Sequence, residues 1–262
     1  MGTFSEMTDA VKEYYDKFSA KFINDLVFGN ARVNQQLRFF AESIPPAASN
    51  ILVIGSGSGE GVFFIAKNIA KHARLLALDI SSENISMAKA LFPHKNITYQ
   101  EQDVLTGGVE GKWDVIVLPD VYEHIPVSAR SNLHGKLKDL LSDRGKIILT
   151  VPSPIHQKYL RGLGKGLQII DEDVDLEALL AMADGVGAEI AYFVYVSVWH
   201  HNDYIHVILE RNTSSLNSIT DEDLLPVKGW RKPSAAHYFQ RIPAVRFLDT
   251  KYKSWKIKRL LS

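Results

Sequence analysis

His124 is a side chain of the type that moves protons. It stands in Glu123-His124-Ile125-Pro126, just after the apolar run Trp113–Leu118. An imidazole titrates near neutral pH and can take a proton from a hydroxyl or an amine. Upstream, Gly55, Gly57 and Gly59 occupy alternate positions after the apolar run Ile51–Ile54, and Gly61 follows them. Glycines there let the backbone turn sharply and let a ligand approach it without a Cβ in the way. Asp79 ends another apolar run, Leu75–Leu78, twenty residues after Gly59. In a strand–loop–helix–strand unit, an acid at the end of the second strand can accept hydrogen bonds from both hydroxyls of a ribose.

A parallel sheet would bring these groups together. Four apolar residues running into glycine read as a buried strand. Val62, Phe63, Ile65, Ala66, Ile69 and Ala70 have helical spacing within residues 60–72. Leu75–Asp79 is a second strand, and residues 82–91 form a helix capped by Ser81 or Ser82. Strands follow at residues 97–101, 113–118 and 146–151, with a helix over 128–142 between the last two. Residues 152–171 read as irregular, and a helix follows from about residue 176 to residue 183. Residues 189–198 and 204–210 alternate as strands around the short turn His200-His201-Asn202-Asp203. The pattern predicts a doubly wound α/β fold: a seven-stranded, mostly parallel sheet with an antiparallel last strand. Ligands of such sheets bind beyond the carboxyl ends of the strands. Ahead of the sheet, residues 8–43 read as helical, with an aromatic face, and Pro45-Pro46 stops the helix.

The glycine loop narrows the choice of ligand. Dinucleotide folds use Gly-x-Gly-x-x-Gly, but here Glu60 or Val62 falls where the third glycine is needed. The spacing Gly55-x-Gly57-x-Gly59 instead resembles the loop of class I S-adenosylmethionine-dependent methyltransferases. The resemblance spans about residues 10–210, with loop, Asp79, Asp103 and the Glu-His segment arriving in order. It implies a cofactor site made by Gly55, Ser56, Gly57, Gly59, Asp79, Ile80, Asp103, Val104, Pro119 and Tyr14. By the same likeness Asp79 takes the adenosine ribose and Asp103 the adenine amino group. The Val104 amide meets a ring nitrogen, and Tyr14 belongs to a lid over the cofactor. Glu123-His124-Ile125-Pro126 matches a segment of many small-molecule O-methyltransferases, which makes His124 the candidate base. One position departs from the family: its acid two places before the first glycine is Val53 here.

Other features restrict the substrate. Leu118-Pro119-Asp120-Val121-Tyr122 is not the Asp/Asn-Pro-Pro-Tyr/Phe motif of enzymes that methylate nucleic-acid bases. Lys plus Arg equals Asp plus Glu at 30 each, without the basic surplus of a nucleic-acid binder. The fifth strand ends Thr150-Val151-Pro152-Ser153, with no acid to complete a metal site with Asp120, so no metal is expected. There is no cysteine, no run of about 18 apolar residues, and no signal-like stretch at residues 1–9. A cytoplasmic location is expected. Lys158, Arg161 and Lys165 stand among glycines in 152–171, which would suit an anionic or sugar-linked acceptor.

Three parts are expected: a helical lid over 1–48, a methyltransferase core over 49–211 and a basic, aromatic extension over 212–262. The extension is a candidate surface for a partner subunit. The expected activity is methyl transfer to a hydroxyl, or less readily an amine, of a small molecule such as a sugar or natural-product intermediate. The alternatives are a non-catalytic partner subunit with a cofactor fold, favoured by Val53 and the basic tail, and a methyltransferase of protein or lipid.

Overall fold

The computed structural model describes residues 19–164, 168, 170–211 and 243–261. Seven strands form one sheet in the order β3-β2-β1-β4-β5-β7-β6. They are β1 Asn50–Ile54, β2 Arg74–Asp79, β3 Ile97–Glu101, β4 Trp113–Pro119, β5 Leu141–Pro152, β6 Glu189–Val196 and β7 Tyr204–Glu210. The first five pair in parallel, and β7 is antiparallel to both β5 and β6. The antiparallel last strand therefore lies inside the sheet, between β5 and β6, and β6 forms the edge.

Alternate residues of the central strands face opposite layers, as the two-residue strand period requires. Ile51 and Val53 pack with Phe39, Phe40, Val62, Ile65 and Ala88 on one face. Leu52 and Ile54 pack with Leu133, Leu137, Leu179 and Met182 on the other. Burial on both faces is why β1, β2 and β4 read as unbroken apolar runs.

The helices are α1 Ser19–Phe28, α2 Ala31–Ser43, α3 Glu60–Phe64, α4 Ser82–Leu91, α5 Val127–Leu140, α6 Pro154–Leu163, α7 Leu176–Val186 and α8 Pro243–Leu261. Two differ from the sequence reading, for local reasons. The single helix expected over 8–43 is broken at Gly29, whose φ of +82° suits glycine. Asn30 then caps α2 by accepting the Arg32 amide at 2.9 Å. The stretch expected to be irregular from 152 contains α6: Ser153 caps it, Pro154 occupies its first turn and Gly164 closes it at φ +60°. After α3 the chain continues as a π-helical turn, Ile65–Ile69.

Helix α8 packs against α1 and α4. The rest of the proposed extension, 212–242, lies outside the described residues, as does the proposed lid before residue 19. Among the described residues no helix is long and apolar enough to cross a membrane.

Candidate active site

The carboxyl ends of β1, β2 and β4 open into a cleft of about 610 Å³. That lies within the ~300–1,000 Å³ usual for small-molecule sites. The glycine loop forms one wall. The Gly55 and Ser56 amides both donate to the Leu78 carbonyl, at 2.8 and 2.9 Å, tying the loop to the end of β2. Gly55, Gly57 and Gly59 all have positive φ, at +77°, +51° and +87°. A Cβ on Gly55 would lie 2.3 Å from Val121 Cγ2, so the loop after β1 and the loop after β4 touch only because glycine is there.

Asp79 is buried at the end of β2 and faces this loop. Its Oδ2 accepts the Gly57 amide at 2.8 Å. Its Oδ1 accepts from the Ser81 amide at 3.0 Å and Asn84 Nδ2 at 3.1 Å. Asp103 accepts the Leu105 amide at 2.7 Å, which folds the chain after β3 back toward the cleft. Gly55, Ser56, Gly57, Asp79, Ile80, Asp103, Val104, Pro119 and His124 all line this cleft. Gly59 does not. It caps α3, and a Cβ there would meet Ala88 Cβ at 2.8 Å and the Tyr99 hydroxyl at 3.1 Å, so its lack of a side chain serves packing. Tyr14 lies outside the described residues.

The wall after β4 is a short 3-10 turn, Tyr122–His124. The chain at 170–172 docks on it: the Glu172 amide donates to the Glu123 carbonyl at 2.8 Å. His124 Nδ1 lies 2.7 Å from the Ile170 carbonyl oxygen. A carbonyl can only accept, so the Nδ1 proton is committed there and the lone pair sits on Nε2. Burial lowers the pKa of His124, against the opposing effects of the Ile170 hydrogen bond and the Asp171 carboxylate 3.4 Å away. The imidazole is therefore neutral at neutral pH, as a base must be.

Glu123 is 1% exposed, and neither carboxyl oxygen has a hydrogen-bond partner. Burial, with the nearby Asp171 adding to it, holds its pKa well above the ordinary carboxylate value. Sequence reasoning treated Glu123 only as part of a motif. No local pattern distinguishes a buried carboxyl from an exposed one.

The cleft's other polar groups come from elements remote in sequence. Arg32 on α2 pairs with Asp120 at the end of β4. Thr150 on β5 donates to Asp120 Oδ1 at 3.1 Å and accepts from Gln36 Nε2 at 2.8 Å. This network fastens α2 over the sheet edge and holds Asp120 at φ +53°. Asp25 on α1 and Glu60 on α3 also line the cleft, and burial raises the pKa of Glu60.

The histidines at 156, 200 and 201 separate. His156 on α6 lines the cleft, whereas His200 and His201 do not. Lys158 and Arg161 are also outside the cleft lining, and Arg161 pairs with Asp173 at 2.9 Å. Lys165 lies outside the described residues. The turn between β6 and β7 is built on Asp203, which accepts the amides of Val198, Trp199 and His200 at 2.7–3.0 Å. That turn carries Trp199 to the rim of the cleft.

The residues present fit an adenosyl cofactor. The loop offers backbone that no side chain obstructs, Ser56 Oγ is buried without a hydrogen-bond partner, and Asp79 and Asp103 face the same space. Among the described residues no cluster of His, Asp and Glu has the arrangement of a metal site.

Residues 51–145 match the family model described as the methyltransferase domain. No curated protein matches the chain. Similar solved structures include the N-methyltransferase NodS of Bradyrhizobium japonicum WM9 in complex with S-adenosyl-L-homocysteine. It is 16% identical over 77% of this chain and 98% of that one, with a TM-score of 0.61. The DhpI complex with the same product is 15% identical over 79% of this chain and 98% of that one, with a TM-score of 0.60. An S-adenosylmethionine-dependent methyltransferase from Anabaena variabilis ATCC 29413 is 16% identical over 78% of this chain and 95% of that one, with a TM-score of 0.59. The shared feature is the Rossmann-like fold.

Proposed function

We propose that this chain, a class I S-adenosylmethionine-dependent methyltransferase, methylates a hydroxyl, or less readily an amine, of a small molecule, with His124 as the base. When bound, the cofactor supplies an electrophilic methyl group on a sulfonium, a good leaving group. The chain's own residues bind, align and deprotonate.

On the cofactor side, Asp79 and Asp103 hold the ribose and adenine, and the Gly55–Gly57 backbone leaves room for the rest. Asp25 and Glu60 take the part of the acid that Val53 replaces, because both line the cleft beside the glycine loop. On the acceptor side, His124 Nε2 receives the proton of the nucleophile as its oxygen or nitrogen bonds to the methyl carbon. Alignment can supply up to ~7–11 kcal/mol of the barrier reduction. A positioned base adds about 10²–10⁴-fold.

The observation that carries this reading is the 2.7 Å contact of His124 Nδ1 with the Ile170 carbonyl, which sets the ring's tautomer and orientation in the wall of the cleft. The test is a screen of small hydroxyl and amine compounds, scored by release of S-adenosylhomocysteine. Turnover that needs a hydroxyl or amine and is lost in His124→Ala supports the reading. Turnover untouched by His124→Ala refutes the base.

A further inference from the structure

We infer that the acceptor is a cation: it carries a basic nitrogen that the Glu123 carboxyl holds against the aromatic wall of the cleft. The inference rests on the methyl-transfer reading and specifies which small molecule that site accepts.

The sheet order separates the two halves of the cleft. Gly55, Asp79 and Asp103 follow β1, β2 and β3, on one side of the switch point. Glu123 and His124 follow β4, and His156 and Tyr204 adjoin the ends of β5 and β7, on the other side. The second half is therefore the acceptor half.

Its acidic side chains outnumber its cations. Glu123 and Asp171 both face the cleft, and the lining contains no Lys and no Arg other than Arg32 among the described residues. Arg32 is engaged by Asp120. The charged and titratable groups around Glu123 are His124 beside it, Asp171 on the docked segment, Arg32 on α2 and Arg130 on α5. Arg130 stacks over the Tyr122 ring at 4.6 Å and donates to the Ile125 carbonyl. Neither arginine hydrogen-bonds to Glu123, and the nearest ring nitrogen, His124 Nε2, is 3.7 Å from Oε1.

A buried carboxyl with two unmatched oxygens is costly unless something donates to it. In a pocket wall, a ligand can be that donor. A protonated amine fits best, because it brings both N–H donors and the opposite charge. The surroundings suit it. Burial raises the pKa of Tyr204, with Glu123 and Asp171 near enough to add to it, and Trp199 meets Tyr204 edge to face, with ring centres 6.0 Å apart. Aromatic faces attract cations. An anionic acceptor would meet two acids and no unpaired cation of the cleft lining. Lys158 and Arg161 point the electrostatics the other way only on the outer surface.

Binding an ammonium favours ionised Glu123. Since burial keeps this group protonated near neutral pH, the acceptor's arrival releases a proton to solvent.

Benzylammonium, benzyl alcohol and benzoate share one shape and differ in charge, which makes them suitable probes. Each is titrated calorimetrically into the full chain saturated with S-adenosylhomocysteine, near pH 7, in two buffers of different ionisation enthalpy. The expected result is about tenfold tighter binding of benzylammonium than of either other probe, with proton release that differs between the buffers. In Glu123→Gln the preference falls to within about twofold and the proton release disappears, while S-adenosylhomocysteine affinity is kept. Equal or tighter binding of benzoate or benzyl alcohol, no binding of the cation, or a preference that survives Glu123→Gln overturns the inference. Failure of S-adenosylhomocysteine to bind at all would instead strike the methyl-transfer reading.

Discussion

The Asp79 carboxylate accepts the Gly57 amide at 2.8 Å, so the acid that ends β2 and the loop that follows β1 form one unit. The same carboxylate also receives the Ser81 amide and Asn84 Nδ2. Asp79 thus shapes the loop, and in the proposed reading it also takes the ribose. Asp79→Ala is expected to weaken cofactor binding by roughly 1.5–3 kcal/mol, the worth of hydrogen bonds to a charged group. Because the loop loses its anchor too, the melting temperature falls with it. Calorimetric titration and a thermal melt on the same sample check both, and an unchanged dissociation constant would show that the ribose lies elsewhere.

His124→Ala is expected to lower turnover by about 10²–10⁴-fold while leaving cofactor affinity near the wild-type value. Burial is the main cause of the lowered His124 pKa, so the imidazole stays neutral to a lower pH than an ordinary histidine. The acid limb of the kcat profile therefore falls below pH 6.5, the ordinary value. A profile whose acid limb lies above that value would contradict the assignment.

His206 gives a separate pH dependence, of stability. It is buried on β7 and stacked on Phe39 with ring centres 4.5 Å apart, and burial lowers its pKa from 6.5 to about 4. Between those values the unfolded chain binds the proton and the folded chain does not, so stability falls as pH drops from 6.5 toward 4. His206→Phe keeps the ring stack and removes that titration. Urea denaturation at several pH values should show a shallower acid slope in the variant. An identical slope would mean that His206 stays neutral in both states or titrates in both alike.

Arg32→Ala removes the cation that faces Asp120 and frees α2 from the sheet edge. The expected cost is about 1–3 kcal/mol, for a half-buried carboxylate left without its charged partner. Asp120→Asn in the same background should recover part of it, since the unpaired charge is gone and asparagine tolerates the positive φ of that position. Denaturant unfolding of the two variants decides, and no recovery would place the cost in α2 packing instead.

A chain ending at Arg211 is expected to keep the fold and to bind the cofactor, because every described residue lining the cleft precedes 205. Helix α8 backs α1, which contributes Phe22 and Asp25 to the cleft. Affinity should therefore weaken modestly, by less than the ~10-fold that one lost charged hydrogen bond would cause. Complete loss of binding in a folded sample would make residues 212–262 part of the site.

The strands were legible because both faces of the sheet are buried, which writes β1, β2 and β4 as unbroken apolar runs. The glycine loop and Asp79 were legible because their spacing is local. The placement of β7 between β5 and β6 was not, since a hairpin reads the same whichever strand docks on β5. Helix α6 did carry a start signal, Ser153-Pro154, obscured by the glycines beyond it. The break between α1 and α2 was written as Gly29-Asn30, a stop and a cap. Asp25, Arg32 and Asp171 reach the cleft only through tertiary packing, so no motif announces them, whereas Glu60 adjoins the glycine loop but its side chain's direction is not written in the spacing. Glu123 stood in a recognised motif, but its burial without a partner is a property of the assembled wall.

The central claim is that the cleft beyond β1, β2 and β4 holds S-adenosylmethionine. Calorimetric titration of that cofactor into the full chain tests it most directly. The account predicts one site per chain with a dissociation constant on the order of micromolar, or about −8 kcal/mol, weakened in Asp79→Ala. No heat of binding at millimolar cofactor, or binding indifferent to Asp79→Ala, would contradict it.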